Sequence, residues 1–498
     1  MFKQTILGEP YVLTRGNGES KMSTSPQPAK SLAIEKIKQI LGERGFIEHK
    51  DEMIPFLTEW RGFYTGDALL VVFPENVQMV SDVTKICAEA GISIVPQGGN
   101  TSMCGGAVPS SEGNAIVLSM SKMNKILSID TTNYTMTVEA GCILQNLQEA
   151  AKVEDRYFPL SLAAEGSCMI GGNLATNAGG TNVLRYGNAR ELVLGLEVVL
   201  PDGRILDQLT GLRKDNTGYD LKQLFLGSEG TLGIITKAVL KLFPAPKSIN
   251  AAYCAVPNIS AALELLNCAR VESGDSVETF ELISRQVLDL VLKHIPDTRD
   301  PLTESYEYYV LLEIVSTKQD DNETRKNFEN MLEKALESEL ILDAAIAQTE
   351  QQRQEFWALR ENATESQKLE GTSIKHDISV PISSIPAFYE TAWQAILRVE
   401  PKARLIAFGH AGDGNLHFNV AEPKNSPSKD FLAKWADINH AVHEVVKQFN
   451  GSISAEHGIG QLKKDELPNY KSSIAIDVMR VIKDALDPKG IMNPGKII

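Results

Sequence analysis

The chain has 498 residues, of which 43% are hydrophobic and 23% are charged. These proportions are typical of a soluble globular protein with two or three domains, and they exclude a disordered or fibrous chain. Its 49 Lys and Arg against 64 Asp and Glu give a formal charge of −15, which opposes nonspecific binding of nucleic acid or of anionic lipid surfaces. A small anionic substrate would therefore need a local cationic site.

Cysteine spacing and the first residues bear on the compartment. The six cysteines form no CxxC pair, which argues against a zinc ribbon, a ferredoxin-type cluster or a dithiol redox centre and favours a reducing compartment. No apolar run reaches the roughly 18 to 20 residues that span a bilayer, and residues 1–30 lack the patterns of a signal or transit peptide. The sequence therefore predicts a cytoplasmic protein with no transmembrane segment. Residues 1–30 are predicted to be a disordered tail, and whether residues 1–21 are native stays open.

After this tail the pattern alternates between helices and short buried strands. The predicted strands cover residues 68–73, 92–95, 115–118, 135–140 and 192–200, and the predicted helices cover residues 31–47, 75–90 and 144–152. Together they predict a mixed α/β domain over residues 31–246, which ends at the sequence FPAP.

The following residues, 247–428, predict a second domain. Strands are predicted at residues 251–256, 307–314 and 403–408, and helices at residues 260–271, 322–337 and 385–399. This order favours a mainly antiparallel sheet that helices cover on one face. Residues 429–498 are mostly helical in pattern, and no internal repeat is present. The predicted fold class is therefore α+β.

Three glycine-rich segments each adjoin a predicted strand. They read PQGGNTSMCGGAVP from residue 96, IGGNLATNAGG from residue 170 and GSEGTLGIIT from residue 227. Glycines let the backbone curl so that several N–H groups point at one anion, which is the geometry of a phosphate cradle. For the first segment alone, a plain tight loop is an equal alternative. None of the three matches GxGxxG or GxxxxGK[ST], so NAD and ATP are disfavoured.

These segments are similar to the FAD-binding domain of the vanillyl-alcohol oxidase and p-cresol methylhydroxylase type of flavoprotein, and the similarity runs from about residue 66 onwards. The resemblance implies a two-subdomain FAD-binding domain, with extended FAD between the subdomains and its isoalloxazine facing a cap (substrate) domain. Neither of the first two segments contains a histidine, so non-covalent FAD is implied. The implied cofactor-binding residues are Pro96, Gln97, Gly98, Gly99, Asn100, Thr101, Gly105, Gly106, Gly171, Gly172, Asn173, Thr176, Asn177, Gly179, Gly180, Gly230 and Ile235.

Histidines concentrate near the end of the chain. In FGHAGDGNLHFNV two of them flank a glycine-rich turn between predicted strands, and SAEHGIG places a carboxylate beside an imidazole. Two histidines and one carboxylate from loops are a recurrent ligand set for a catalytic divalent metal. A hydrogen-bonded structural role is the alternative for any one of them, but His410, His417 and Glu456 together favour a metal. By contrast, His440 and His443 are predicted to share a solvated helix face.

The segments GHAGDGNLHFNV and SAEHGIG, with the terminal DPKGIMNPGK, narrow the resemblance to the FAD-linked D-2-hydroxyacid dehydrogenases. In that family the positions matching His410, His417 and Glu456 bind a divalent metal, here Zn²⁺ or Mn²⁺. The position matching His457 is the base, and the position matching Asn493 lies near the flavin. The resemblance implies that the metal binds the substrate's C1 carboxylate and C2 hydroxyl, that the base takes the hydroxyl proton and that hydride passes to flavin N5.

The same resemblance bears on partners. It implies a small-molecule 2-hydroxyacid substrate and an active site that residues 429–498 complete. Because no second cofactor motif is present, reduced FAD would pass its electrons to an external acceptor, an electron-transfer flavoprotein, a cytochrome or a quinone. No nucleic acid partner is expected, and a homodimer is the commonest arrangement for such a chain. Two rivals stay open, an oxidase of another alcohol with the same fold and a non-catalytic protein that binds flavin or metal.

Three polar residues bear on which hydroxyacid is used. Arg360 and Thr364 are four apart on a predicted helix and Lys375 follows on a predicted strand, although spacing alone favours a solvated surface. In family members that act on D-2-hydroxyglutarate, the matching positions hold the distal carboxylate. The resemblance therefore implies a dicarboxylate, D-2-hydroxyglutarate or D-malate, with D-lactate or glycolate as the alternative. Asn419 leaves its predicted strand on the same face as His417 and is assigned to the substrate site.

Overall fold

The computed structural model describes residues 28–319, 321–424 and 427–498. Most of the predicted disordered tail, residues 1–27, lies outside the described residues. The first helix begins at Pro28 rather than at residue 31, so the end of the predicted tail is helical. It stops at Leu41 rather than at residue 47, because Gly42 takes a left-handed conformation with φ 69°. Within the described ranges, no helix is long and apolar enough to cross a membrane.

The first half of the described chain is built from two main sheets and flanking helices. Its strands are β1 (Phe46–Ile47), β2 (Leu70–Val72), β3 (Ser93–Gln97), β4 (Ala115–Ser119), β5 (Ile126–Asp130), β6 (Thr135–Glu139), β7 (Arg156–Tyr157), β8 (Val193–Val199), β9 (Ile205–Gln208), β10 (Ile234–Lys241) and β11 (Phe243–Pro244). Its helices are α1 (Pro28–Leu41), α2 (Lys50–Leu57), α3 (Val77–Ala90), α4 (Leu144–Val153), α5 (Ile170–Ala175), α6 (Val183–Tyr186) and α7 (Lys222–Phe225).

These strands pair in two different ways. One sheet has the order β1-β2-β4-β3, in which β2 and β3 both run parallel to β4. The other has the order β5-β6-β10-β8-β9 and is antiparallel throughout. One continuous apolar core joins them, and it includes Ile116 of β4 and Leu196 of β8. Each glycine-rich segment begins or ends at one of these strands or at α5, which fixes where the loops can lie.

The second half forms a single antiparallel sheet, called here the cap sheet. Its strands are β12 (Ser248–Val256), β13 (Val277–Ser284), β14 (Tyr308–Ser316), β15 (Asp343–Ile346), β16 (Ser373–Ile374), β17 (Asp377–Ser379), β18 (Arg404–Gly409) and β19 (Asn415–Ala421). Its helices are α8 (Ile259–Glu272), α9 (Arg285–His294), α10 (Asn322–Glu337), α11 (Glu350–Glu361), α12 (Ala363–Glu370), α13 (Ile385–Val399), α14 (Ser428–Leu432), α15 (Trp435–Gln448), α16 (Leu467–Tyr470) and α17 (Ser473–Leu486), with a short 3₁₀ helix at Ile382–Ser384.

Helices cover both faces of the cap sheet, so the prediction of a sheet covered on one face is wrong. Ala252 and Cys254 of β12 pack with α8, α10 and α13 on one face, whereas Ala251 and Tyr253 of the same strand pack with α9 and α11 on the other. The strand YYVLLEIVS is apolar almost without interruption. A continuous apolar run, rather than an alternating one, is typical of a strand buried on both faces.

The end of the chain returns to the first half. The backbone of Ile94 in β3 accepts a hydrogen bond from Asn493 and donates one to Ile491, so residues 491–493 lie alongside β3 as a short additional strand. This contact brings the C-terminal segment next to the first and third glycine-rich segments.

Candidate active site

A cavity of about 1180 Å³ lies between the glycine-rich segments and the cap sheet. Most of the residues assigned to the cofactor from sequence line it. These are Pro96, Gln97, Gly98, Gly99, Asn100, Thr101, Gly106, Gly171, Gly172, Asn173, Thr176, Gly179, Gly180, Gly230 and Ile235. The lining also includes His410, His417, Glu456 and His457, so one cavity holds both sets of predicted residues.

Two adjacent glycines show how the second segment is fitted to a ligand. A Cβ atom on Gly171 would lie 2.7 Å from the Cβ of Ala140, so this glycine allows the loop to pack on β6. A Cβ atom on Gly172 would meet nothing within 4 Å and would project into open space. Beside it, the buried Asn173 Oδ1 has no hydrogen-bond partner among the described residues. An open backbone beside an unpaired acceptor fits a flat, hydroxyl-bearing group such as FAD.

Three of the residues assigned to the cofactor do not line the cavity. Gly105, Asn177 and Asn493 are absent from its wall. The Asn177 side chain accepts a hydrogen bond from the backbone of Arg190 at 2.9 Å. Asn493 Nδ2 donates to the carbonyl of Gly106 at 2.9 Å and to that of Glu229 at 2.7 Å. Asn493 therefore ties the first glycine-rich segment to the third instead of facing the cavity.

The two predicted histidine ligands come together with Glu456. His410 follows β18 and His417 lies in β19, and the hairpin between these strands brings the ring centroids to 5.8 Å. Each histidine Nε2 approaches a different oxygen of Glu456, at 3.8 Å for His410 and 3.9 Å for His417. Ligand atoms at about 2.0 to 2.1 Å from one tetrahedral ion lie roughly 3.3 to 3.4 Å apart, so each histidine would have to approach Glu456 by about 0.5 Å to share a divalent metal with it.

Asp377 is a further carboxylate at this site that sequence reasoning did not assign. Ligand atoms of Asp377, His417, Glu456 and His457 lie within 4.8 Å of one another, and His410 is not part of this group. Asp377 pairs with His417 across β17 and β19, which places its side chain in the site. One Asp377 oxygen accepts backbone hydrogen bonds from Glu456 and His457 at 2.9 and 2.8 Å and lies 3.5 Å from His457 Nδ1. The carboxylate therefore holds both the loop and the imidazole.

A second buried carboxylate fixes the other end of this loop. The two oxygens of Glu229, in the third glycine-rich segment, accept hydrogen bonds from the backbones of Ile459 and Gly460 at 2.7 and 2.8 Å. Gly458 has φ 77°, and a Cβ atom there would lie 2.7 Å from Glu229 Oε1. The sequence AEHGIG thus needs glycine to pass close to a carboxylate from the first half of the molecule.

Glu281 joins His410 to Arg360. It lies on β13 and is fully buried. One of its oxygens is 2.5 Å from His410 Nδ1, and the other accepts a hydrogen bond from Arg360 Nε at 2.5 Å. The strand VETFELIS carries two glutamates although every one of its residues is buried. Charged residues within an otherwise apolar strand are the sequence signal that could have identified Glu281.

The charges of this cluster depend on one another. Burial opposes ionisation of Glu281, but the charges of Arg360 and His410 lower its pKa to about 2. Burial opposes the charged form of His410 as well, whereas Glu281 raises the pKa of that imidazole to about 9. Burial raises the pKa of Glu456 to about 7, and His410 opposes this effect only in part. A buried carboxylate with a raised pKa favours the approach of a cation.

Only two of the four residues assigned to the substrate line the cavity. Arg360 and Thr364 line the cavity but belong to two consecutive helices, because α11 ends and α12 begins at Asn362. Lys375 and Asn419 do not line it. Asn419 shares a sheet face with His417, yet its amide accepts from the backbone of His376 and donates to Gln367.

Lys375 lies between β16 and β17, and its amine has no hydrogen bond or ion pair among the described residues. Burial lowers the pKa of Lys375, and the nearby charge of Arg61 lowers it further.

The prediction that His440 and His443 share a solvated helix face is wrong for one of them. His440 is exposed, but His443 is buried, with its Nδ1 2.8 Å from Glu466.

Comparisons with known proteins agree on the family. Residues 68–208 match the family model "FAD binding domain", and residues 245–497 match "FAD linked oxidases, C-terminal domain". The chain is 40% identical over 465 residues to a mitochondrial D-2-hydroxyglutarate dehydrogenase of Arabidopsis thaliana, covering 93% of this chain and 81% of the relative. It is 41% identical over 441 residues to one of Danio rerio, also named mitochondrial, covering 88% of this chain and 80% of the relative.

Solved structures confirm the predicted fold. Substrate-bound p-cresol methylhydroxylase superposes with a TM-score of 0.73 at 17% identity, covering 95% of this chain and 97% of the other.

The prediction of a cytoplasmic location is wrong, because both relatives above are named mitochondrial proteins. That prediction rested on the lack of a leader pattern in residues 1–30, and a missing pattern does not determine a compartment. The chain belongs to the FAD-linked oxidase family, among relatives named D-2-hydroxyglutarate dehydrogenases, and is an FAD-dependent D-2-hydroxyacid dehydrogenase that acts on a CH–OH group.

Proposed function

We propose that the chain oxidises a D-2-hydroxy dicarboxylic acid, D-2-hydroxyglutarate or its near relative D-malate, to the 2-oxo acid. The observation that carries this proposal is the single cavity in which Arg360 and Thr364 lie in the same wall as the cluster of His410, His417 and Glu456. A 2-hydroxy dicarboxylate has a polar group at each end, and this wall offers a recognition group for each. The names of the relatives support the same substrate.

The near end of the substrate would bind at the cluster. His410, His417 and Glu456 would hold Zn²⁺ or Mn²⁺, because two imidazoles and a carboxylate with open positions suit a catalytic divalent ion. When bound, the metal supplies a Lewis acid for the C1 carboxylate and C2 hydroxyl, and FAD accepts the two electrons of the oxidation at N5. Glu281 accepts from His410 Nδ1, so Nε2 is the nitrogen that would coordinate the metal, which would take the place of the proton that the raised pKa of His410 keeps there.

His457 would take the proton from the substrate hydroxyl. Its ring stacks on His417 with 6.2 Å between the centroids. Asp377 lies 3.5 Å from Nδ1, which leaves Nε2 to accept the proton. A base oriented by a carboxylate on its far side is a recurrent arrangement in proton transfer. Burial lowers the pKa of His457, and Asp377 opposes this effect only in part, so the imidazole is neutral and ready to accept a proton.

The distal carboxylate would bind at Arg360, Thr364 and Lys375. With Nε of Arg360 bonded to Glu281, its two terminal nitrogens remain for a carboxylate. Lys375 is half-buried and makes no hydrogen bond or ion pair among the described residues, although the charge of Glu365 acts on it. Its side chain lies outside the cavity wall and would have to extend into the cavity to contact the ligand. We include Asn419 in the substrate site, and a movement of its amide away from Gln367 would be needed for direct contact.

An anaerobic spectral screen tests the proposal. Purified protein is mixed with D- and L-forms of 2-hydroxyglutarate, malate and lactate, and bleaching of the flavin is followed. We expect the D-dicarboxylates to reduce it fastest. Arg360→Ala or Lys375→Ala should then lower kcat/KM for the dicarboxylate about tenfold or more, since a hydrogen bond to a charged group contributes roughly 1.5 to 3 kcal/mol, and should change residual D-lactate turnover little. A preference for D-lactate, or equal losses on both substrates, would contradict the dicarboxylate assignment.

The acceptor of the electrons is a separate part of the proposal. We infer that reduced FAD passes its electrons to an external acceptor rather than to oxygen, and the names of the relatives, which are dehydrogenases, support this inference. Slow peroxide formation in air beside fast reduction of a dye or quinone supports a dehydrogenase. Rapid stoichiometric peroxide formation would favour an oxidase.

A further inference from the structure

Glu281 is the shared partner of two groups with different tasks. Its carboxylate lies 2.5 Å from His410 Nδ1 through one oxygen and 2.5 Å from Arg360 Nε through the other. The side chain is fully buried, and those of His410 and Arg360 are only 8% and 9% exposed. Strand β13 pairs with β18 next to Gly409, which brings Glu281 beside His410. The three residues form a buried, hydrogen-bonded bridge across the wall of the cavity.

Each oxygen of Glu281 determines which nitrogen atoms of its partner stay available for a ligand. By accepting from Nδ1, Glu281 makes Nε2 the free nitrogen of His410, on the side of Glu456. By accepting from Nε, it holds the guanidinium plane of Arg360 over the ring of Phe408, 4.8 Å from its centroid. Only the two terminal nitrogens of Arg360 can then bind a ligand carboxylate. One carboxylate thus sets the direction of both groups.

We propose that Glu281 is a positioning residue that couples the metal site to recognition of the distal carboxylate. This inference rests on the proposed function, in which His410 binds the metal and Arg360 the distal carboxylate. Because both groups share one rigid partner, a change at either end moves the other. Binding of the metal and selectivity for a dicarboxylate should therefore depend on each other, as two ligands of coupled sites do.

Substitution of Glu281 by glutamine tests its two hydrogen bonds, because the side-chain amide can accept only one of them. A carboxylate accepts on both oxygens, whereas a glutamine amide accepts on one side and donates on the other. In Glu281→Gln the amide nitrogen must face an N–H of either His410 or Arg360. Either the ring turns to the other tautomer or the guanidinium loses its anchor. The variant keeps the volume of the side chain, so its effect reports on the two hydrogen bonds.

Glu313 offers a matched control. It is a buried glutamate on β14, the strand next to β13, and it accepts hydrogen bonds from Arg353 Nη1 at 3.0 Å and from Trp357 Nε1 at 2.8 Å. Its arginine belongs to α11, the helix that also carries Arg360. Both donors share Oε1 of Glu313, so the amide oxygen of Glu313→Gln can keep both hydrogen bonds. The variant therefore controls for the loss of a buried charge in the same cavity wall, with no member of the metal cluster among its partners.

The experiment measures Zn²⁺ affinity by chelator competition on FAD-loaded, metal-depleted protein, and then kcat/KM for D-2-hydroxyglutarate and D-lactate at saturating Zn²⁺. Glu281→Gln should lower Zn²⁺ affinity by roughly 10- to 100-fold, the usual effect of losing an outer partner of a ligand histidine. At saturating Zn²⁺ it should also lower the preference for the dicarboxylate about tenfold, through KM more than kcat. Glu313→Gln should change neither quantity by more than about twofold.

A second variant keeps the inference testable if Glu281→Gln does not fold. Arg360→Ala removes a residue that is no metal ligand, yet it should lower Zn²⁺ affinity several-fold by releasing one side of Glu281. Wild-type Zn²⁺ affinity in both variants, or equal losses in Glu313→Gln, would overturn the coupling. Those results would leave the proposed function standing if the wild-type protein binds Zn²⁺ and prefers the dicarboxylate. Failure of the wild type to bind Zn²⁺ would instead overturn the metal site and the coupling together.

Discussion

Asp377 lies behind His457, with one carboxylate oxygen 3.5 Å from the ring Nδ1 and hydrogen-bonded to the backbone N–H of the same residue at 2.8 Å. The contact joins β17 of the cap sheet to the loop that carries Glu456. Because Asp377 holds the backbone and faces the ring, His457 has little freedom to turn away from the cavity. A base with a fixed direction is what proton abstraction from a bound hydroxyl requires.

We predict that His457→Ala slows flavin reduction by roughly 10² to 10⁴, the usual contribution of a general base, and leaves metal content unchanged. Stopped-flow mixing with D-2-hydroxyglutarate under anaerobic conditions measures the rate, and elemental analysis measures the metal. An unchanged rate would remove His457 from this role. Loss of metal together with activity would place His457 among the ligands instead.

Activity should also require the metal. Chelation, or His417→Ala, should abolish reduction of the flavin by substrate while FAD stays bound, because the residues assigned to FAD lie in the glycine-rich segments and not in the cluster. His440→Ala is the matched control, since His440 lies on α15 and is exposed, and its activity should equal that of the wild type. Full activity in protein shown to be free of metal would contradict the requirement.

The two adjacent glycines of α5 should respond differently to alanine. Gly172→Ala places a methyl group in the open cavity, so it should weaken FAD binding about tenfold or more without changing the thermal stability of the apoprotein. Gly171→Ala pushes a methyl group to 2.7 Å from Ala140, so it should lower the Tm of the apoprotein, since overpacking typically costs about 1 to 3 kcal/mol. Fluorescence titration with FAD and thermal melts measure the two effects. Equal FAD affinity in Gly172→Ala and wild type would contradict the assignment of this loop to the cofactor.

FAD should be released entirely by acid precipitation. The first two glycine-rich segments contain no histidine, and the six cysteines include five that are buried. The measurement is the absorbance of the supernatant against that of the pellet after treatment with trichloroacetic acid. Yellow colour that stays in the washed pellet would show a covalent link, and mass spectrometry of its peptides would locate it.

Glu278 should make stability depend on pH. Burial raises the pKa of this cavity-lining carboxyl to about 7 from the ordinary 4.5, and a hydrogen bond from Tyr186 opposes burial only in part. The folded state therefore binds the proton more tightly than the unfolded state, so the stabilisation is complete below pH 4.5 and is lost as the pH rises through 7. Glu278→Gln should match the wild type near pH 4.5 and exceed it by roughly 3 kcal/mol above pH 8. Denaturant unfolding at both pH values measures the difference, and a gap independent of pH would contradict the assignment.

The sequence grouped those candidate site residues that lie within short motifs, and the structure brings them into one cavity. His410 and His417 are joined by a hairpin of a few residues, and Glu456 is adjacent to His457, so local spacing was enough to group them. The carboxylates that hold these residues come from far away in the chain. Glu281 is 129 residues from His410, and only the register of β13, β14 and β18 brings them together. The pattern of neighbouring residues does not show which strands pair or in which register.

The error about the cap sheet has a similar cause. The order of strands and helices indicated an antiparallel sheet, but it could not show which helices would fold onto the second face. The continuous apolar strand Tyr308–Ser316 carried that information, because a face left open to solvent would have required alternating polar residues. The broken helix at Asn362 could not be predicted, since α11 and α12 read as one helical pattern.

The contacts of Asn493 bear on when the flavin pocket is completed during synthesis of the chain. It joins the carbonyl of Gly106 to that of Glu229, and it lies 387 residues after Gly106. On the ribosome, the first glycine-rich segment emerges long before the residue that fixes it against the third. The nascent chain therefore leaves this part of the pocket open until residues 491–493 have been made and have paired with β3. We therefore expect the complete flavin pocket to form only after nearly the whole chain has been translated.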